Sequence, residues 1–297
     1  MMWKDSLKIG IEEVDAQHKE LFKRVNSFVG IVLGNTKIEE KEKKIEETLD
    51  FLSEYVILHF QAEEKIQKEN NYPGYKEHCK IHNNFIKEVV DFKKEFKENG
   101  FNQSMIYKFS GKMVSWLINH VANEDQKIKN YLVNVKEDKK ENDISNGYLE
   151  LIVESTKKIM NSMLQLEIEK TIELLILEEE YSKSEIRISI NLIGDIEGEI
   201  LYSFSKDMSL KILEKMAGMK MEEVDEFVTS AISELVNIIT ATISGELLKL
   251  GYLCDITAPK VIIGKGRNEI LKKEKTIDTI LDTEIGSFDF RFDLLKK

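Results

Sequence analysis

Residues 59–82 read HFQAEEKIQKENNYPGYKEHCKIH, and their spacing decides the fold of the first half of the chain. His59 and Glu63 stand four residues apart, and so do His78 and His82. On a helix that spacing stacks each pair on one face. Between the pairs, Asn70-Asn71-Tyr72-Pro73-Gly74 is a concentrated turn signal. Pro73 sits where a helix can begin without losing a needed N–H. Two helices joined by so short a turn run antiparallel and can bring their polar faces together.

Working outward, the apolar spacing predicts helices over 14–34, 38–70, 73–98 and 103–134, with Asn35-Thr36 and Asn99-Gly100 at the other breaks. These make an antiparallel four-helix bundle, with the Trp3–Gly10 stretch as an arm across it. His18 lies on the first helix, and His120 on the fourth, five residues before Asp125. At 100° per residue, His120 and Asp125 differ by about 140° around a regular helix. A local π-type widening near 120–125 would bring them to one face. Cys79 lies a quarter-turn away from the ligand face and reads as a small packing residue. Trp116 reads as core filling one turn before His120, and the Lys/Glu run 39–47 as a solvated helix face.

All five histidines of the chain thus fall on bundle helices at ligand spacings. A core of this size would not bury five imidazoles and two carboxylates unpaired, because their desolvation is costly. A metal centre removes that objection. Imidazoles with carboxylates suit iron, zinc or copper rather than calcium or magnesium. Seven ligands exceed what one ion takes. Two octahedral ions sharing Glu63, Asp125 and an oxo or hydroxo bridge would be filled except for one position, open to a small molecule. A ferritin-like site needs a Glu three residues before a His, and no histidine here has one.

Composition bounds the rest. A chain of 297 residues implies about two domains. The net charge of −11 falls entirely on residues 141–297, since 1–140 carry equal numbers of acidic and basic side chains. An acidic second half argues against nucleic acid and anionic membranes as partners. Two cysteines, one in each half, make no disulfide framework and fit a reducing cytoplasm. No apolar stretch is expected to reach a membrane span, and the start lacks a signal-peptide core.

The segment 136–147, KEDKKENDISNG, reads as a charged linker between domains at 1–135 and 148–297. Beyond it, 148–178, 207–217 and 222–250 show helical spacing. Residues 184–193, 199–205, 253–263, 275–283 and 286–295 read as strands, with Gly194 and Gly198 in a turn. Helices and antiparallel strands in separate runs imply an α+β domain. Within 222–250, Ser230, Glu234 and Asn237 recur at i, i+4 and i+7 and form one polar stripe. Spacing alone makes that stripe the wet side of an amphipathic helix.

Two resemblances add to this reading. Trp3, Gly10, Asp15-x-x-His18, His59-x-x-x-Glu63, His78-x-x-x-His82 and Trp116-Leu-x-x-His120-x-x-x-x-Asp125 together resemble the bacterial hemerythrins. The resemblance implies a di-iron centre that binds dioxygen. His78, His82 and His120 would hold one iron and His18 and His59 the other, with Glu63 and Asp125 bridging. Dioxygen would enter at the two-histidine iron. Residues 150–297 resemble the CheX-like chemotaxis phosphatases, through the Gly194-Asp-Ile-Glu-Gly198 turn and the Ser-x-x-x-Glu-x-x-Asn motif. Gly251-Tyr-Leu-Cys-Asp-Ile-Thr-Ala-Pro259 and the following Val261-Ile-Ile-Gly264 extend that resemblance.

The second resemblance implies hydrolysis of the aspartyl phosphate on a CheY-like response regulator. Asn237 would orient the attacking water, Glu234 would pair with a cation of the receiver, and Ser230 completes the motif. The Mg²⁺ would belong to the receiver. It also implies a homodimer built through the sheet. The family often has glycine four residues after the Asn, and here that residue is Ala241. The expectation is therefore a cytoplasmic protein coupling dioxygen or redox sensing to a phosphatase. The rivals are a dioxygen store or scavenger with a non-catalytic second domain, and a peroxide or nitric oxide reductase at the iron site.

Overall fold

A computed structural model describes residues 3–133, 147–174, 185–264 and 276–296, and the chain divides into two units, Met1–Asp138 and Lys139–Lys297. In the first unit, α1 (Glu12–Leu33), α2 (Ile38–Glu69), α3 (Tyr75–Asn99) and α4 (Gln103–Asn119) form the bundle. A π-helical turn (His120–Glu124) leads from α4 into α5 (Asp125–Leu132). The buried residues of α1, among them Val14, His18, Leu21, Phe22, Val25, Phe28, Val29 and Val32, recur every three or four positions. That periodicity presents one apolar stripe to the core. Helix α1 packs on α2 and α4, and α2 packs on α3.

Aromatic contacts tie the helices where no ligand stands. Phe92 stacks on Phe109 with centroids 3.8 Å apart, and Phe85 stacks on Trp116 at 3.6 Å. The buried Phe85 and Phe92 rings each contribute about 1.5–3 kcal/mol through area removed from water. The turn between α2 and α3 needs a left-handed residue, and Asn71 supplies it at φ 52. Asn102 caps α4 by accepting from the Met105 N–H at 3.0 Å. The arm is held by Asp15, whose carboxylate accepts the Ile9 N–H at 2.8 Å and the Gly10 N–H at 3.1 Å.

The second unit begins with α6 (Gly147–Leu164). Then come β1 (Ile168–Leu174), β2 (Ile186–Gly194), β3 (Glu197–Phe204), α7 (Lys206–Ala217) and α8 (Glu226–Lys249). It continues with β4 (Cys254–Ile256), β5 (Lys260–Ile263), β6 (Thr276–Thr283) and β7 (Gly286–Lys296). Among the described residues the strands form one antiparallel sheet in the order β1-β6-β7-β3-β2-β4, with β5 also on β2. Tyr202, Phe204, Phe288, Phe290 and Phe292 point from β3 and β7 into its core. Tyr202 and Thr156 of α6 share a hydrogen bond at 2.7 Å, so the buried phenol is satisfied. Helices α6 and α7 pack against α8, which lies on β2 and β4. Asp225 caps α8, accepting from the N–H groups of Phe227 and Val228 at 3.0 Å each. Gly198 has no room for a side chain, since a Cβ there would meet the Phe292 ring at 2.5 Å.

Three sequence expectations are corrected. Residues 148–178 do not form one helix: α6 stops at Leu164, Gln165 adopts φ 55, and Ile168–Leu174 pairs with β6 as a strand. The run 253–263 is two strands, β4 pairing Leu192–Gly194 and β5 pairing Ile186–Ser189 along the same edge of β2. Helix α8 is long and apolar enough by length and composition to cross a membrane, with mean hydropathy 1.4, contrary to the expectation that no stretch would be. Its apolar residues are core instead, and 61% of its most apolar 18-residue stretch is buried in the fold. The charged segment 136–147 lies outside the described residues except for Gly147, which begins α6.

Candidate metal centre and the motif on α8

Helices α1, α2 and α3, the π turn that follows α4, and α5 each deliver candidate ligands to one place in the bundle core. His18, His59, Glu63, His78, His82, His120 and Asp125 are all 3% exposed or less. Glu63, His78, His82 and His120 each present one ligand atom within 4.8 Å of the others. Asp125 joins them, with its Oδ1 3.2 Å from His120 Nε2 and 3.5 Å from His78 Nε2. Its Oδ2 lies 3.1 Å from His18 Nε2. Glu63 Oε2 lies 3.3 Å from His82 Nε2 and 3.5 Å from His78 Nε2. His59 reaches the cluster through His18, the ring centroids being 4.7 Å apart.

The π turn makes this convergence possible. The Asp125 N–H donates to the His120 carbonyl, five residues back, so the helix widens by one residue there. His120 and Asp125 then come onto one face, as the 140° mismatch of a regular helix required.

The electrostatics describe a site built for cations. Burial lowers the imidazoles of His18 to about 4 and His59 to about 3, and holds His120 well below its usual range. These rings are neutral near pH 7, as metal ligands must be. Burial pushes Glu63 up, but contacts with His120, His78 and His82 outweigh it and hold its carboxyl well below the usual range. Asp125 is pushed well above, by burial first and then by the charge of Glu63. Both oxygens of Glu63 and of Asp125, and Nε2 of His18, His59 and His78, are buried with no hydrogen-bond partner. Leaving such atoms buried without partners is costly, and cations placed among them would satisfy them.

Ring contacts hold the donors in place. Phe60 stacks on His82 at 3.7 Å and Trp116 on His120 at 4.5 Å. An apolar cavity reaches the cluster from the core side, lined by Leu21, Val56, His59, Phe85, Trp116 and His120. Trp116 is thus both packing and cavity wall. Cys79 is half-buried and its thiol is pushed up by burial.

In the second unit Ser230, Glu234 and Asn237 lie half-buried on α8, while their neighbours Ala231, Ile232, Leu235, Val236 and Ile238 are buried. The stripe continues one turn on to Ala241, which is exposed. Glu234 and Ser230 already have partners within the fold. No metal-ligand cluster accompanies this stripe among the described residues.

Residues 9–132 match the family model of the hemerythrin HHE cation binding domain. A bacteriohemerythrin of Clostridium acetobutylicum is 30% identical over 126 residues, which cover 42% of this chain and 95% of that protein. The chain belongs to the hemerythrin family. A bacteriohemerythrin of Pseudomonas paraeruginosa is 28% identical over 125 residues, covering 42% of this chain and 76% of the relative. Residues 186–279 match the model of the chemotaxis phosphatase CheX. The second unit thus contains the region that matches CheX. A Thermotoga maritima protein named CheY-P phosphatase CheX is 37% identical over 100 residues, or 33% of this chain and 61% of that protein.

Around the hemerythrin cluster, the structure adds residues that the spacing did not single out. Gln17 Oε1 lies 3.1 Å from His59 Nδ1, and Glu64 Oε1 lies 2.8 Å from His82 Nδ1. Each is a chain neighbour of a candidate ligand, His18 and Glu63, and that adjacency was the one available signal. Gln67, one turn beyond Glu63, is fully buried with its amide unpartnered.

Proposed function

We propose that the hemerythrin domain holds two iron ions and binds dioxygen reversibly, and that the CheX domain dephosphorylates a CheY-like receiver. The observation that carries the first half is the convergence of neutral imidazole nitrogens and carboxylate oxygens, unpartnered, in a dry core. His78, His82 and His120 would hold one ion, His18 and His59 the other, with Glu63 and Asp125 shared. When bound, the iron pair supplies the electrons that reversible dioxygen uptake requires. The chain's own part is positional. The two carboxylates offset the charge of the ions, and the stacked Phe60 and Trp116 fix the rings of His82 and His120. The apolar cavity at His59 and His120 excludes water from the side on which a small apolar molecule would arrive.

For the second half, the support is the half-buried Ser230-Glu234-Asn237 stripe along α8, together with the CheX match. Water attacks the phosphorus of the receiver's aspartyl phosphate, the bond to the carboxylate oxygen breaks, and inorganic phosphate leaves. Asn237 would hold that water in line, a contribution of position rather than of acid–base chemistry. Glu234 would dock against a cation of the receiver, and the Mg²⁺ would be the receiver's own. A chain with this division of labour can report dioxygen or redox state to a signalling partner. Helix α5, which carries Asp125, ends at Leu132, so little chain separates the metal site from the start of α6 at Gly147.

The test is one sample carried through two assays. Protein purified without oxygen is exposed to air while its visible spectrum is followed, and both forms are then mixed with phosphorylated receiver. The proposal expects new charge-transfer absorption on exposure and faster receiver dephosphorylation than the receiver shows alone. No spectral change, or an unaltered receiver lifetime, removes the corresponding half.

A further inference from the structure

We propose that Gln17 is a positioning residue for His59, and that Gln17 and Glu64 make the two metal positions chemically unequal. The inference rests on the two-ion reading above. His59 Nε2 is buried without a hydrogen-bond partner and belongs to the converging set. Once a cation takes Nε2, the ring's proton sits on Nδ1, and that atom faces Gln17 Oε1 at 3.1 Å. The amide oxygen accepts, which fixes both the tautomer and the ring plane. His82 has the same arrangement with a different acceptor, a Glu64 carboxylate oxygen at 2.8 Å.

The two acceptors differ in charge. A carboxylate draws on the Nδ1 proton and makes the ring a stronger donor, whereas a neutral amide orients the ring without that push. The three-histidine position therefore receives the stronger imidazole, and the two-histidine position a merely oriented one. Gln17 also carries more of its position than Glu64 does. Of the pair His18 and His59, His18 has no hydrogen-bond partner at Nδ1 among the described residues. Gln17 is thus the outer hydrogen bond that holds the two-histidine side. The residue is half-buried on α1 beside His18, so it can be replaced without opening the core.

The test uses the full chain, first metal-free and then titrated with Zn²⁺ alone, a diamagnetic ion that imidazoles and carboxylates bind. Nitrogen-15 NMR reads the histidine tautomers, and the titration reads two affinities. The wild-type chain is expected to take two zinc ions, with His59 and His82 protonated at Nδ1. Gln17→Leu should mix the tautomers of His59 and weaken one of the two zinc ions about 10–100-fold, leaving the other unchanged. Gln17→Glu should restore the single tautomer and the affinity, a rescue that a purely space-filling role would not give. Glu64→Gln should weaken the other ion. Wild-type tautomers and both affinities retained in Gln17→Leu would overturn the inference while the two-ion reading stands. Fewer than two zinc ions on the wild-type chain would overturn that reading, and the inference with it.

Discussion

The bundle core and the face of α8 present their candidate residues in opposite ways. Seven side chains from four helices and a π turn converge in the bundle, none more than 3% exposed. On α8 three side chains lie along one helix, half-buried and open to one side. The first arrangement gathers buried imidazole nitrogens and carboxylate oxygens without hydrogen-bond partners, which cations would satisfy. The second supplies one wall of a site whose phosphate, magnesium and attacked atom would come from a partner. A buried cluster can therefore be argued from its internal electrostatics, whereas a surface stripe acquires chemical meaning only with the partner in place. The two domains should accordingly fail in different assays.

The largest expected effect on turnover lies on α8. Asn237→Ala should slow receiver dephosphorylation by about 100-fold, the usual cost of losing a positioned reactant, while leaving metal content unchanged. Glu234→Ala should act mainly on receiver affinity, seen as a raised KM with a smaller change in kcat. If Asn237→Ala also emptied the bundle, the separation drawn here between the two sites would be broken.

Metal removal comes next. Chelation should lower the bundle's thermal stability by about 3 kcal/mol or more at ion concentrations well above the dissociation constant, and leave the CheX domain's transition in place. A melting curve by circular dichroism, with and without chelator, would show one transition moving. A separate effect is the pH response of the metal-free chain. The folded-state values of His18, about 4, and His59, about 3, lie below the unfolded 6.5, so the unfolded chain binds more protons as pH falls. Each imidazole then costs about 1.4 kcal/mol per pH unit between pH 6.5 and its folded value, with no cost above 6.5. Denaturant titrations at pH 7.5, 6 and 5 should show that loss, and a bundle equally stable throughout would contradict the burial argument. The finest effect is coupling. Phosphatase rates of the reduced and air-exposed forms should differ by a typical allosteric 1–3 kcal/mol, and equal rates at full iron occupancy would leave two independent domains.

Most of the bundle was legible because two periodicities agree there. Apolar residues recur at helical spacing, and the histidines recur on the same faces, so helix ends and ligand faces could be read together. Even the π turn could be anticipated, since His120 and Asp125 cannot share a regular helical face. Strand β1 was not legible. IEKTIEL alternates charged and apolar residues in a way that serves a helix or a strand, and the break before it falls at Gln165, where no Gly or Pro announces it. Its state is decided by pairing with β6, more than a hundred residues later. The split of β4 from β5 is tertiary too, because both pair the same edge of β2. Gln17 and Glu64 were invisible for a related reason. They meet their histidines across 42 and 18 residues, and as polar residues on amphipathic helices they look like solvated surface.

The central claim is that the bundle's seven side chains form a two-ion site, and metal content per chain tests it most directly. Protein purified from iron-supplied cells should carry two irons per chain, and Glu63→Ala, which removes a shared ligand, should lose both together. A single ion per chain, zinc in place of iron, or a Glu63→Ala variant retaining both irons would contradict the account.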